Sequence, residues 1–96
     1  MTPEFIKEEN AYRLYNEDNE MIAEITYQPQ GEYVVADHTF VDPSLRGQGM
    51  AGKLLDHLVS EMEQAGKQIK AQCPYVVKKF AEQPEKYGAI DYDNHE

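Results

Sequence analysis

The sequence predicts an α/β fold: an antiparallel β-meander, then one parallel β-α-β crossover, then a second short helix. Three observations carry this expectation. Residues 21–28 alternate, Met21, Ala23, Ile25 and Tyr27 against Ile22, Glu24, Thr26 and Gln28, which is the period of a strand with one face more buried. From 48 to 65 the apolar residues Ala51, Leu54, Leu55, Leu58, Met62 and Ala65 recur at spacings of three and four, the stripe of an amphipathic helix. Strand-like stretches flank that helix, at 33–41 and 67–71, so the three segments form a crossover whose strands run parallel.

The remaining elements follow in order. Residues 1–10 are polar and expected to fray, except that Phe5 and Ile6 extend the sheet edge. Residues 11–15 read as a first strand, and Asn16-Glu17-Asp18-Asn19-Glu20 as the turn that makes a hairpin with 21–28. Pro29-Gln30-Gly31 is the next turn. The strand at 33–41 is apolar on both faces apart from Asp37, His38 and Thr39, which suits a place near the centre of a sheet, and simple alternation sends Asp37 and His38 to opposite faces. Pro43 ends it for want of an N–H. Gly66 is placed to end the long helix. Cys73 and Pro74 mark the second helix start, since proline is favoured at the first helical position. That helix should carry Val76, Val77 and Phe80 inward and stop before Pro84, with one last turn at 85–88. The expectation is a single domain over 1–96, its core at about 11–88 and a loose acidic tail at 89–96.

A chain of 96 residues has room for one modest core, and 41% hydrophobic content argues for a folded globule. No apolar run approaches the roughly 18 residues of a membrane span, and Met1-Thr2-Pro3-Glu4 does not begin a secretion signal, so a cytoplasmic protein without a membrane partner is expected. One cysteine excludes an internal disulfide, and no Cys/His cluster has zinc-ligand spacing, so no metal is expected. The net charge of −9 is unevenly placed. Residues 1–45 hold ten acidic and two basic side chains, whereas 46–86 hold five acidic and seven basic. The acidic half repels nucleic acid and attracts a cationic partner, while the basic part offers Arg46, Lys53, Lys78 and Lys79 to a polyanion. A plainer reading of the acidic half is solubility alone.

The chain is organised around the turn Arg46-Gly47-Gln48-Gly49-Met50-Ala51, which ends a buried strand and opens the long helix. The first turn of a helix leaves N–H groups without intrahelical partners and carries a partial positive charge. Glycine at 47 and 49 lets a phosphate reach those groups without meeting a Cβ. The spacing is neither the dinucleotide GxGxxG nor a P-loop, because no Gly-Lys-Ser/Thr closes it.

Arg46, Gly49 and Ala51, preceded by Val41-Asp42-Pro43, resemble the acetyl-CoA-binding motif Gln/Arg-x-x-Gly-x-Gly/Ala of the GCN5-related N-acetyltransferases (GNATs). His38-Thr39 upstream and Cys73-Pro74-Tyr75-Val76 downstream make the pattern more specific. Together they resemble the small stand-alone GNAT-like domains of the YjdJ type, over about residues 20–88. The resemblance implies a minimal GNAT-like fold without the N-terminal helices that normally shape the acceptor pocket. It also implies an acyl-CoA-dependent N-acetyltransferase, with acetyl-CoA or coenzyme A as cofactor and an amine as acceptor, a basic peptide or polyamine suiting the acidic half. Arg46, Gly47, Gln48, Gly49, Met50 and Ala51 would then contact the pyrophosphate, mostly through backbone N–H groups. The pantetheine arm would lie where the parallel strands splay, alongside Phe40 and Val41. The alternative is a module that holds CoA, or a protein partner, without turnover.

Two residues are candidates for catalysis. Cys73, just before Pro74, would present its sulfur to the positive helix end, which favours thiolate, and a thiolate beside a thioester can take the acetyl group and pass it on. The competing reading is a buried cysteine acting as a small apolar side chain. His38, one strand over, could serve as base for Cys73 or for the acceptor amine, though a histidine on an interior strand is more often structural. Tyr75 is a weaker candidate, as proton donor to the departing CoA thiolate. His57 and His95 fall on an exposed helix side and in the tail.

Overall fold

A computed structural model describes residues 5–45 and 47–93. Five strands form one sheet in chain order: β1 (Ile6–Glu8), β2 (Ala11–Tyr15), β3 (Met21–Pro29), β4 (Tyr33–Val41) and β5 (Gln68–Ala71). The first four pair antiparallel, and β5 lies parallel to β4 after the crossover through α1 (Met50–Ala65). A 3₁₀ turn, Pro43–Leu45, precedes α1; α2 (Pro74–Glu82) and the single turn α3 (Pro84–Tyr87) follow β5. The α/β meander and crossover are those the sequence predicts.

The long helix begins at Met50, two residues later than the expected 48–65, because Gly49 is left-handed at φ 69° and cannot belong to it. Gly66, at φ 72°, ends it: its N–H bonds Glu63 O, and that of Lys67 bonds Met62 O. One continuous core joins Ile25, Val34, Ala36 and Ile69 of the sheet to Leu54, Leu55 and Leu58 of α1, Val76 and Phe80 of α2, and Tyr87 of α3. Each such aliphatic side chain contributes roughly 1.5–3 kcal/mol by leaving water. All three helices thus cover one face of the sheet. Val77, expected inward, is 48% exposed. The inward line of α2 runs through Val76 and Phe80, four apart, and position 77 lies about 100° round from it.

The other face of the sheet is polar. Arg13 donates from Nε to Glu24 (2.7 Å) and from Nη1 to Glu8 (2.9 Å), the Tyr15 hydroxyl donates to Glu8 (2.7 Å), and His38 Nε2 lies 3.4 Å from Glu24. That placement of His38 departs from simple alternation, and a bulge explains it. Thr26 pairs with His38 and Tyr27 with Ala36, so Asp37 is one residue too many for β3. Asp37 and His38 therefore both turn to the uncovered face, and Thr39 and Val41 return to the helix side opposite Ile25 and Ala23.

Asp37 is held there by Thr26 Oγ1 and by Gln28 Nε2 (2.8 Å). Burial pushes its pKa up, but these hydrogen bonds outweigh it and keep the carboxyl below the usual carboxylate range. A depressed pKa stabilises the fold above the unfolded value and ceases to as pH falls through the folded one. Asp37→Asn should therefore lower the melting temperature at pH 7 and make the fall in stability below about pH 4 shallower in a series of thermal melts.

The acidic tail is not loose as far as Asp93. Ile90 is buried, its carbonyl accepts from Ile69 N–H (2.7 Å), and Tyr92 N–H returns to Ile69 O (2.8 Å), a short parallel bridge on the free edge of β5. Tyr92 stacks on Tyr33 with centroids 3.9 Å apart, and Lys70 pairs with Asp93 at 2.9 Å. Apolar Ile90 has a core position to fill, which outweighs the charge of its neighbours. Residues 94–96 lie outside the described residues. Among the described residues no helix is long and apolar enough to cross a membrane, and no group of three or more His, Cys, Asp or Glu could hold a metal.

Candidate functional site

The site begins where β4 and β5 part. Their pairing runs from Tyr33 with Gln68 to Ala36 with Ala71. The bulge at Asp37 then bends β4, while the chain leaves β5 through Gln72 and Cys73, whose N–H groups both bond Ala36 O (3.0 and 2.9 Å). Cys73 is the extended N-cap of α2, at φ −60° and ψ 130°, with Pro74 first in the helix. β4 runs on to Val41 past the end of β5. The gap, closed below by the turn before α1 and flanked by α2, is a cleft of about 390 Å³ lined by Thr39, Val41, Leu45, Gly47, Gly49, Met50, Ala51, Gly52, Tyr75 and Lys79.

One wall of this cleft is backbone. Gly47 and Gly49 have φ of 84° and 69°, and a Cβ at either would meet nothing within 4 Å, so the left-handed backbone, not crowding, is what calls for glycine. Among the described residues no side chain caps α1, and no acidic residue sits in its first turn. The partial positive charge of that helix end is thus uncompensated where it meets the cleft. Lys79 adds a cation on the far wall, its Nζ 5.8 Å from the Tyr75 ring centroid. Lys53 is exposed, and Lys78 pairs with Glu82 at 3.9 Å.

Cys73 is 6% exposed, and its Sγ lies 3.5 Å from Thr39 Oγ1, across the gap between the parted strands. It belongs to the core cluster and also borders a lining residue of the cleft. The structure does not bring His38 to it. The bulge turns His38 to the opposite face of the sheet, beside Glu24, with its side chain 57% exposed. Phe40 is on that opposite face too, paired with Glu24, and only Val41 of the two expected strand residues faces the cleft. Gly47, Gly49, Met50 and Ala51 line it, Gln48 is exposed in the turn and does not, and Arg46 lies outside the described residues.

Thr39, Leu45 and Gly52 are lining residues that the motif does not name; the extra residue at Asp37 is what turns Thr39 inward. Tyr75 lines the cleft as well, but its hydroxyl faces Gly52 in the first turn of α1. The hydroxyl therefore lies at the α1 end of the cleft and not beside Cys73. Burial, with the Asp56 and Glu82 charges and against that of Lys86, raises its pKa, so the hydroxyl stays protonated.

Residues 11–90 match the GCN5-related N-acetyl-transferase family, and the chain belongs to it. The fold is similar to the solution structure of a GCN5-like protein from Staphylococcus aureus, at 28% identity and a TM-score of 0.74, over 99% of this chain and 98% of that one. It also resembles, in fold, a ribosomal-protein-alanine N-acetyltransferase from Brucella melitensis, at 21% identity and a TM-score of 0.52, over 85% of this chain and 67% of that one. No curated protein sequence matches the chain.

Proposed function

We propose that this domain transfers an acetyl group from acetyl-CoA to an amine. The observation that carries the reading is the continuity of the cleft, which runs from the uncapped first turn of α1 to the parting of β4 and β5 beside Thr39 and Cys73. In this reading the pyrophosphate rests against Gly47, Gly49, Met50 and Ala51, with Arg46 next in sequence and Lys79 opposite. The pantetheine arm follows the inner edge of β4 past Val41 and Thr39, and the thioester reaches Cys73.

The chemistry has two steps. Cys73 Sγ gives its proton to solvent and attacks the thioester carbonyl; the bond from that carbon to the CoA sulfur breaks, one to Cys73 Sγ forms, and CoA leaves as a thiolate that takes a proton from water. CoA is a competent leaving group without a dedicated acid, since a thiol of pKa about 8.5 is a stable anion compared with an amine. The acceptor amine then attacks the acyl-cysteine, Cys73 leaves as thiolate, and the nitrogen gives its proton to solvent. The acidic first half, with Glu17, Asp18, Glu20 and Glu32 in the turns between strands, favours a cationic acceptor such as a lysine-bearing peptide or a polyamine.

Incubation with acetyl-CoA should leave one acetyl mass on the intact protein, removed by adding spermine. Exposed charges are screened over about 8 Å at physiological salt. Raising ionic strength to that level should therefore increase the apparent KM for spermine several-fold while leaving the KM for a neutral primary amine unchanged. Equal acetylation of both amines at both salts would reduce the acidic surface to a solubility device. Binding of acetyl-CoA with no release of its thiol in the presence of any amine would make the domain a holder of CoA and not an enzyme.

A further inference from the structure

The bulge at Asp37 decides which side chain stands beside Cys73. Strict alternation from Ala36, whose side chain is part of the core, would turn position 38 to the cleft and position 39 away from it. With one residue extra, His38 goes to the uncovered face and Thr39 comes inward, so a hydroxyl takes the place of an imidazole. The rest of the inward row of β4, Val34, Ala36 and Val41, is apolar. Packing alone does not call for an oxygen there, since valine has the same branched shape and suits a strand equally well. The oxygen has one neighbour of chemical interest. Thr39 Oγ1 accepts from Cys73 Sγ at 3.5 Å, across strands that have ceased to pair. A hydroxyl that accepts keeps its own proton to donate elsewhere, and Thr39 lines the cleft. The other hydroxyl on the cleft wall, that of Tyr75, is at the α1 end.

We propose that Thr39 is a catalytic residue, whose hydroxyl donates to the oxyanion formed when Cys73 attacks a thioester. This rests on the reading of Cys73 as nucleophile and assigns the group that stabilises the charge its attack creates. As Sγ, its proton given to solvent, bonds to the carbonyl carbon, the π pair of the carbonyl moves onto its oxygen. That oxygen is then two bonds from Sγ, and a hydroxyl 3.5 Å from Sγ can stand at the roughly 2.7–3.1 Å that an oxyanion donor needs. Thr39 gives a hydrogen bond and keeps its proton. The pair returns to the carbon as the bond to the CoA sulfur breaks. In the second step the amine attacks the same carbon, the same oxygen takes the charge, and the pair returns as Sγ leaves. One hydroxyl thus serves both steps. Cys73 is 6% exposed, and a hydrogen bond to a charge is stronger in such a place than in open water.

Steady-state kinetics of the whole chain with acetyl-CoA and spermine test this. Thr39→Val, which exchanges the hydroxyl for a methyl of similar size, should lower kcat about 10²- to 10³-fold, the loss expected of one oxyanion donor, with the KM for acetyl-CoA nearly unchanged. Thr39→Ala should lose as much, and Thr39→Ser should return to within a few-fold of the wild type. Alkylation of Cys73 by iodoacetamide forms no oxyanion, so its rate in Thr39→Val should stay close to that of the wild type. Wild-type kcat in Thr39→Val would overturn the assignment. Equal losses of transfer and alkylation would also overturn it, by reducing Thr39 to a support for the sulfur. Cys73→Ala, assayed beside these variants, keeps the two readings apart. If it transfers at the wild-type rate, or if the wild type transfers nothing, the covalent reading falls and this assignment with it; if Cys73→Ala alone is inactive, the Thr39 variants decide.

Discussion

Gly49→Asp should raise the dissociation constant of coenzyme A by well over tenfold, more than about 1.4 kcal/mol, in titration calorimetry. Gly49 is the left-handed residue on which α1 opens, and the cleft's backbone wall begins with it. Aspartate tolerates that conformation better than most residues, so the chain should still fold, but its carboxylate would sit at the helix end in the place a phosphate takes. Gly49→Asn separates the two effects. It carries the same backbone cost without the charge, and should lose only a few-fold. If the folded aspartate variant binds coenzyme A as tightly as the wild type, the turn is not where the pyrophosphate lies.

Cys73→Ala should abolish acetyl transfer while leaving coenzyme A affinity nearly intact. The side chain is small and buried, and among the described residues its hydrogen-bond partner is Thr39 at 3.5 Å, so alanine leaves a cavity of one sulfur and costs little stability. Loss of the nucleophile, in contrast, removes the first chemical step. Bound coenzyme A should also protect the wild-type thiol from iodoacetamide, because its arm would lie over Thr39, the cleft residue that Cys73 touches. Transfer at the wild-type rate by Cys73→Ala would mean that the acceptor amine attacks acetyl-CoA directly.

How far the sequence alone could reach follows from the range of the interactions involved. The glycine turn was legible because its chemistry is local: Gly47, Gly49 and the helix stripe beginning at Ala51 stand within a few residues of one another, and backbone angle and periodicity decide them. Cys73 and Pro74 likewise identify a helix start without reference to anything distant. The bulge at Asp37 was not legible. It is defined by the register between Thr26 and His38 on two different strands, and nothing in the composition of 33–41 announces an extra residue. From that one missed residue come the misplacements of His38 and Phe40 and the failure to see Thr39 in the cleft. The tail misled for a related reason, since the partners of Ile90 and Tyr92 are Ile69 and Tyr33, far upstream. Val77 reads as inward by its hydrophobicity alone, whereas the helix phase set by Val76 and Phe80 faces it to water.

The parting of β4 and β5 also bears on the order in which the molecule assembles. β2, β3 and β4 are joined by short turns and can pair as soon as they collapse, whereas β5 can pair with β4 only after the whole of α1 has been laid across the sheet. The strap at Ile90 and Tyr92 can dock only after that. The cleft lies between the early and the late part of the fold, so it does not exist in a chain that has formed its meander alone. A molecule that fits it therefore recognises only the finished protein, and every increment of its affinity acts as a latch on the last strand to arrive.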